Sequence, residues 1–124
     1  MNRTRPKHLA LHLIKLPPSG IVSILHRISG MLLFFALPLL LLMLQYSLCS
    51  IETYTQLVDV LAHPIIKLML IGLLWAFLHH FLAGLRYLAI DVHLLGNLAQ
   101  SRASSKLVLF VSLILTILIG AQLW

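Results

Sequence analysis

Charged residues are scarce in this 124-residue sequence: Asp, Glu, Lys and Arg make up 10% of it, and apolar residues make up 60%. Soluble domains average about 25% charged and about 45–50% apolar residues, so a soluble catalytic domain is excluded. The single cysteine, Cys49, excludes an internal disulfide and a cysteine-rich metal site. The formal net charge is +6. Beside apolar spans, such basic residues indicate topology rather than nucleic-acid binding, and we expect no nucleic-acid partner.

Three long stretches contain no Asp, Glu, Lys or Arg. A helix crosses about 30 Å of hydrocarbon in roughly 20 residues, and each stretch is of about that length. The sequence therefore predicts an all-α membrane protein with three transmembrane helices preceded by an N-terminal arm, residues 1–19. The predicted three-helix anchor is 20–124, with spans at about 22–49, 64–90 and 106–124.

Helix-end signals refine these spans. Pro17-Pro18-Ser19 predicts a first helix that begins near Gly20, with the Ser19 hydroxyl as its N-cap. His63-Pro64 predicts the start of the second span, because proline fits the first turn of a helix. The polar segments 50–62 and 96–105 are expected to be connections.

The distribution of basic residues predicts the orientation. Lys and Arg concentrate in the arm and around the second connection, whereas the first connection contains Glu52 and Asp59 and no cation. By the positive-inside rule, the N-terminus and the second connection face the cytoplasm, and Trp124 lies on the opposite side. The start of the first span and the end of the second therefore share one membrane face.

Two groups of polar residues lie at that face. Ser23 and Arg27 are four residues apart, so their hydroxyl and guanidinium can point at one ligand atom; alternatively, Arg27 snorkels to lipid phosphate. In the second span, one helical stripe contains His80, Gly84, Tyr87 and Asp91. An imidazole followed one turn later by glycine suits a haem iron and its flat macrocycle. Spacing alone leaves open that His80 hydrogen-bonds a neighbouring helix and Gly84 is a packing site.

The chain does not supply an evident second iron ligand. His79 and His80 are adjacent on one helix, so they cannot occupy opposite faces of one haem, and His26 and His63 lie near the two membrane surfaces. A second ligand is therefore expected from another subunit. Ser112, Thr116 and Gly120 recur every four residues in the third span, which predicts close helix packing.

The motifs resemble those of a known family. They are Arg5-Pro6, the segment SILHRISG at residues 23–30, and His80-x-x-x-Gly84-x-Arg86-Tyr87-x-x-x-Asp91. Together with three spans, they are similar to the cytochrome b subunit of succinate dehydrogenase, respiratory Complex II. This resemblance implies one of two hydrophobic anchor subunits that hold an iron–sulfur subunit and a flavoprotein subunit at the membrane. It implies a subunit of an enzyme without that enzyme's catalytic centre.

The resemblance also implies the ligands and the residues that hold them. One haem b lies between the two anchors, and ubiquinone is the substrate. His80 matches the axial haem ligand, with the second ligand from the partner, and His26, Arg86 and Tyr87 belong to the haem propionate region. Ser23 and Arg27 match the quinone pocket, and Asp91 is expected to have a structural or interface role. Tyr87 departs from the family, which commonly has histidine there, so propionate neutralisation would depend more on His26, Arg27, Arg86 or the partner.

Other functions remain open at this stage. A fumarate reductase anchor would share these motifs, because related complexes run the reaction in reverse. An ion or proton transporter subunit would use His80, Arg86 and Asp91 as a relay, although residues 68–78 offer no polar track. A structural anchor without cofactor is a third possibility. The short arm before Arg5-Pro6 favours a bacterial inner membrane over an imported organellar precursor.

Overall fold

The computed structural model describes residues 16–95 and 97–123, and this part of the chain is helical with short connections. The helices are α1 (Pro18–Cys49), α2 (Ile51–Ala62), α3 (Pro64–Asp91) and α4 (Leu98–Leu123). By length and composition, α1, α3 and α4 are each able to cross a membrane. The predicted all-α fold with three transmembrane helices is confirmed. Residues 1–15 of the expected arm, including Arg5-Pro6, and Trp124 lie outside the described residues.

The start of α1 differs from the prediction. The helix begins at Pro18 with Pro17 as its N-cap residue, and no side chain caps it. The Pro17 carbonyl accepts hydrogen bonds from the amides of Gly20 and Ile21, at 2.9 and 3.2 Å. Proline has no N–H and is therefore suited to the first turn. The predicted Ser19 cap is wrong because Ser19 already lies within the helix.

The first connection is a helix rather than a loop. α2 begins after a capping box, in which the amide of Thr53 donates to the Ser50 hydroxyl and the amide of Ser50 donates to Thr53 Oγ1. No residue of α2 is buried. The following helix begins as predicted, at Pro64, with His63 as its N-cap.

The second connection is also shorter than expected. α4 begins at Leu98, so most of the segment predicted as a polar connection is helical. The Asn97 side chain accepts a hydrogen bond from the amide of Gln100 at 2.8 Å, and the Ser105 hydroxyl donates to the Ser101 carbonyl at 2.7 Å. These local bonds satisfy polar groups that otherwise disfavour a helix.

The three long helices all contact one another, and α2 contacts α1 and α3. The centre of the bundle is small: Val22, Ala83 and Val108 form its buried apolar cluster, one residue from each long helix. The predicted packing stripe of α4 is confirmed, since Ser112, Thr116 and Gly120 are buried. Many large apolar side chains elsewhere are exposed, as expected for surfaces that face lipid or other membrane helices.

Candidate functional site

The start of α1 and the end of α3 pack side by side and bring two histidines together. The imidazole rings of His26 and His80 are stacked, with centroids 4.1 Å apart and an interplanar angle of 6°. The rings of Tyr87 and His26 meet edge-on, with centroids 5.2 Å apart and an interplanar angle of 63°. The structure therefore joins His26, His80 and Tyr87, three of the residues predicted from sequence, into one cluster.

Hydrogen bonds fix the orientation of His80. Its Nδ1 lies 3.0 Å from the backbone oxygen of His26 and 3.2 Å from the hydroxyl oxygen of Ser29. A carbonyl oxygen only accepts hydrogen bonds, so Nδ1 carries the hydrogen and donates. The Nε2 atom then keeps its lone pair, and it makes no hydrogen bond to any residue in the described ranges. This is the protonation state that a histidine needs to bind a metal.

A glycine that the sequence analysis did not single out lies against this ring. A Cβ atom on Gly30 would be 2.9 Å from His80 Cε1 and 3.4 Å from its Nδ1. At Gly84, by contrast, an added Cβ would lie 3.8 Å from Nε2 of His26, which is an ordinary contact. Space for the His80 imidazole therefore depends on Gly30, and the space beside Gly84 is bordered by His26. The predicted macrocycle gap at Gly84 stays a prediction.

Ser23 and Arg27 lie on the same helix, one turn apart. Ser23 is partly buried and Arg27 is exposed. Neither side chain forms a hydrogen bond or ion pair with a residue that the structure describes. The two are not joined to each other, so both polar groups remain available to another molecule. Their predicted role at a quinone is neither supported nor contradicted by these contacts.

Arg86 points to α4. It is 6% exposed, and its Nε donates to the Ser104 hydroxyl at 3.0 Å. Its Nη2 donates to the carbonyl and hydroxyl oxygens of Ser101, at 3.1 and 2.9 Å. The guanidinium carbon also lies 5.4 Å from the centre of the Tyr87 ring. Arg86 therefore links the end of α3 to the start of α4.

Two buried polar groups near the cluster have no hydrogen-bond partner among the described residues. One is the Tyr87 hydroxyl, and the other is the imidazole of His79, with both its ring nitrogens. His79 has no exposed surface and stacks on Trp75 at 5.3 Å. It faces the bundle interior, although its neighbour His80 is only partly buried. Asp91, expected in an interface, is exposed.

Comparisons with known proteins agree with these features. A family model described as "Succinate dehydrogenase/Fumarate reductase transmembrane subunit" matches residues 1–119. A "Succinate dehydrogenase cytochrome b556 subunit" of Coxiella burnetii (strain RSA 493 / Nine Mile phase I) is 38% identical over 125 residues, covering 100% of both chains. A protein of the same name from Rickettsia felis (strain ATCC VR-1525 / URRWXCal2) is 30% identical over 118 residues, covering 93% of this chain and 90% of the relative.

The resemblance inferred from the motifs is thereby confirmed over nearly the whole chain. The three apolar helices and the family match identify a multi-pass membrane protein, and the predicted function as a membrane-anchor cytochrome b subunit of succinate dehydrogenase is confirmed. The chain belongs to the succinate dehydrogenase/fumarate reductase transmembrane subunit family.

Proposed function

We propose that this chain forms one side of a b-type haem site, with Nε2 of His80 as its axial iron ligand. The observation that carries the proposal is the hydrogen bonding of the His80 ring. Nδ1 is occupied by the His26 carbonyl and the Ser29 hydroxyl, and Nε2 has no hydrogen bond within the described ranges. The residues present therefore fit the group. When bound, a haem b supplies a one-electron carrier in the membrane.

The second axial ligand comes from another subunit in this proposal. His79 is turned into the bundle, and His26 is stacked on His80, so neither of them would supply the second ligand. Among the described residues there is no cluster of three or more His, Cys, Asp or Glu side chains that could hold a metal ion. In this proposal one imidazole from each of two anchor chains would hold the iron, with one haem per pair.

The haem propionates would meet His26, Tyr87 and Arg86. The buried Tyr87 hydroxyl has no partner in the described part of the chain and can donate one hydrogen bond. The Arg86 guanidinium, 5.4 Å from the Tyr87 ring, provides positive charge at the same end of α3, although its Nε and Nη2 are already bound to α4. Tyr87 provides a hydrogen bond without a charge.

Ubiquinone would bind beside Ser23 and Arg27. The Ser23 hydroxyl can donate to a quinone carbonyl oxygen, and the exposed Arg27 cation can stabilise negative charge that develops there. Ser23 and His26 lie within one turn of α1, so in this proposal the quinone site would lie next to the haem site. The proton donor is expected from water or a neighbouring subunit, because no acidic side chain is hydrogen-bonded or ion-paired to Ser23 or Arg27 among the described residues.

In this proposal the chain is one subunit of a membrane-bound complex. The chain would act with a second hydrophobic anchor, an iron–sulfur subunit and a flavoprotein subunit, in contact with lipid in a bacterial inner membrane. The arm and the α3–α4 connection would face the cytoplasm. A fumarate reductase anchor is the alternative within the family, whose model covers both enzymes. A transporter relay is disfavoured, because Arg86 is bound to α4 and the exposed Asp91 forms no ion pair with it within the described residues.

The test of the haem proposal is the absorption spectrum of the purified complex. His80→Ala should abolish or alter the reduced-minus-oxidised b-type spectrum while the complex still contains flavin. His63→Ala, a histidine that caps α3 at its other end, serves as the matched control and should keep the spectrum. An unaltered spectrum in His80→Ala would exclude His80 as the iron ligand.

A further inference from the structure

We propose that Ser29 and Gly30 are positioning residues for His80: the serine adds a second acceptor for the hydrogen on Nδ1, and the glycine fixes the position of the ring. This inference rests on the haem site proposed above. It concerns Ser29, whose hydroxyl lies within hydrogen-bond distance of the imidazole, and Gly30, which leaves room for it. Neither residue would contact iron.

The Ser29 hydroxyl, the His26 carbonyl oxygen and His80 Nδ1 all lie within hydrogen-bond distance of one another. The Ser29 hydroxyl hydrogen is directed to the backbone oxygen of His26, at 2.9 Å. A serine has one hydroxyl hydrogen, so the lone pairs of Ser29 Oγ are left to face His80 Nδ1 at 3.2 Å. The N–H of His80 is therefore shared between the His26 carbonyl, which can only accept, and the Ser29 hydroxyl, which accepts while its own hydrogen is directed to that carbonyl. Ser29 is 4% exposed, so water does not replace it readily.

Hydrogen bonds from Nδ1 would affect the basicity of Nε2 and, through it, the midpoint potential of a bound haem. A hydrogen bond from the remote N–H of a ligating imidazole raises the basicity of the metal-binding nitrogen. A more basic ligand favours the ferric state of haem iron and lowers its midpoint potential. Loss of the Ser29 hydroxyl would leave one acceptor, the His26 carbonyl, in place of two. The potential should therefore rise, while the ligand itself remains.

Gly30 acts on the position of the ring. A Cβ atom there would approach His80 Cε1 to 2.9 Å, Nδ1 to 3.4 Å and Nε2 to 3.9 Å. The ring cannot simply move aside, because His26 covers one face at a centroid distance of 4.1 Å and two hydrogen bonds hold Nδ1. An added methyl group therefore displaces Nε2 or breaks the stack. Either change weakens the bond of Nε2 to iron.

The chain offers matched controls for both substitutions. Gly72 lies in α3, and a Cβ atom there meets nothing within 4 Å. Ser112 is a fully buried serine that donates to the carbonyl three residues earlier, as Ser29 does, but it lies in α4 and forms no hydrogen bond with His80. Gly72→Ala and Ser112→Ala thus reproduce the chemical changes away from the imidazole.

The experiment compares purified complexes that carry Ser29→Ala, Ser29→Thr, Gly30→Ala and the two controls. The readouts are haem content per flavin, the haem midpoint potential, the low-spin EPR signal of the oxidised haem, and carbon monoxide binding to the reduced haem. Ser29→Ala should raise the potential with haem content retained, and Ser29→Thr, which keeps a hydroxyl, should restore the wild-type value. Gly30→Ala should shift the EPR signal and admit carbon monoxide, or lose haem from an assembled complex.

Distinct results separate this inference from the proposed function. If His80→Ala removes the haem spectrum but Ser29→Ala and Gly30→Ala match the wild type in every readout, the positioning role is wrong and the haem site stands. Equal changes in the two control variants would also overturn it. If Gly30→Ala prevents assembly, the comparison of Ser29→Ala with Ser29→Thr decides. If His80→Ala leaves the spectrum unaltered, both proposals fall.

Discussion

The imidazole of His80 lies flat on that of His26, with ring centroids 4.1 Å apart and planes within 6° of parallel. The same His26 residue accepts a hydrogen bond from His80 Nδ1 through its backbone oxygen, at 3.0 Å. One residue of α1 therefore holds the histidine of α3 by its face and by its edge. This double contact ties the start of the first span to the end of the second, and it makes the proposed haem ligand sensitive to changes in either helix.

Ser23 and Arg27 are predicted to affect quinone reduction specifically. Ser23→Ala should lower succinate–quinone activity by about 5-fold, since a neutral hydrogen bond contributes about 1 kcal/mol. Arg27→Ala should lower it by at least about 10-fold, because bonds to charged groups contribute more. Electron transfer from succinate to an artificial dye should not change in either variant.

Ser47→Ala is the control, since this serine lies near the other end of α1 and bonds only the Leu44 carbonyl. Unchanged quinone kinetics and inhibitor sensitivity in both Ser23→Ala and Arg27→Ala would refute the assignment of the quinone pocket.

Arg86 is predicted to hold α3 against α4. Arg86→Ala removes three hydrogen bonds to Ser101 and Ser104, and bonds to a charged group are worth about 1.5–3 kcal/mol. The detergent-solubilised complex should melt at a lower temperature. Arg86→Lys should restore only part of the loss, because an ammonium group lacks the planar fork of a guanidinium. Arg102→Ala, at an exposed position of α4, should leave the melting temperature within error; a comparable drop there would argue against a specific link.

His79 is predicted to contribute packing volume rather than a polar contact. It is fully buried and its ring nitrogens are unpaired among the described residues, and an unsatisfied buried polar group costs about 1–3 kcal/mol. His79→Leu should therefore melt at the same or a higher temperature than the wild type, whereas His79→Ala should melt lower because it leaves a cavity. Thermal melting with haem absorbance as the signal measures both. Equal losses in the two variants would show that the imidazole makes a required polar contact in the assembled complex.

The start of α1 and the end of α3, which together form the site, are predicted to lie at the cytoplasmic face of the membrane. Alkaline phosphatase fused after Thr55, in α2, should be active because it is exported, and the same reporter fused after Leu95, beyond α3, should be inactive. A cytoplasmic reporter should give the opposite pattern. Activity of alkaline phosphatase at Leu95 would reverse the assigned orientation, and activity at both positions would contradict the crossing of the membrane by α3.

Local signals in the sequence predicted most of the framework. Charge-free stretches gave the three spans, and His63-Pro64 gave the start of α3 at its correct residue. The helix α2 was missed because Ser50 and Thr53 form their capping box through reciprocal bonds that composition does not show. The early start of α4 was missed for a tertiary reason: Ser101 and Ser104, which are typical of connections, accept hydrogen bonds from Arg86 on another helix.

The sequence identified several residues of the site but did not show which of them contact one another. His80 and Tyr87 were identified by residue type and spacing and His26 by the family resemblance, and the three residues do meet. The roles of Ser29 and Gly30 were not visible, because each depends on the ring of His80, which lies 51 residues from Ser29 along the chain. The burial of His79 beside the half-buried His80 likewise depends on where α1 and α4 pack.

The hydrogen bonds from Arg86 to Ser101 and Ser104 have an electrostatic consequence. Hydroxyl and carbonyl dipoles satisfy the guanidinium, yet they do not cancel its charge, and no carboxylate is paired with it among residues 16–95 and 97–123. A full positive charge thus persists at 6% exposure, where the low local dielectric screens it weakly. An anion on a neighbouring chain that packs against this end of α3 would therefore be stabilised without a direct contact with the arginine.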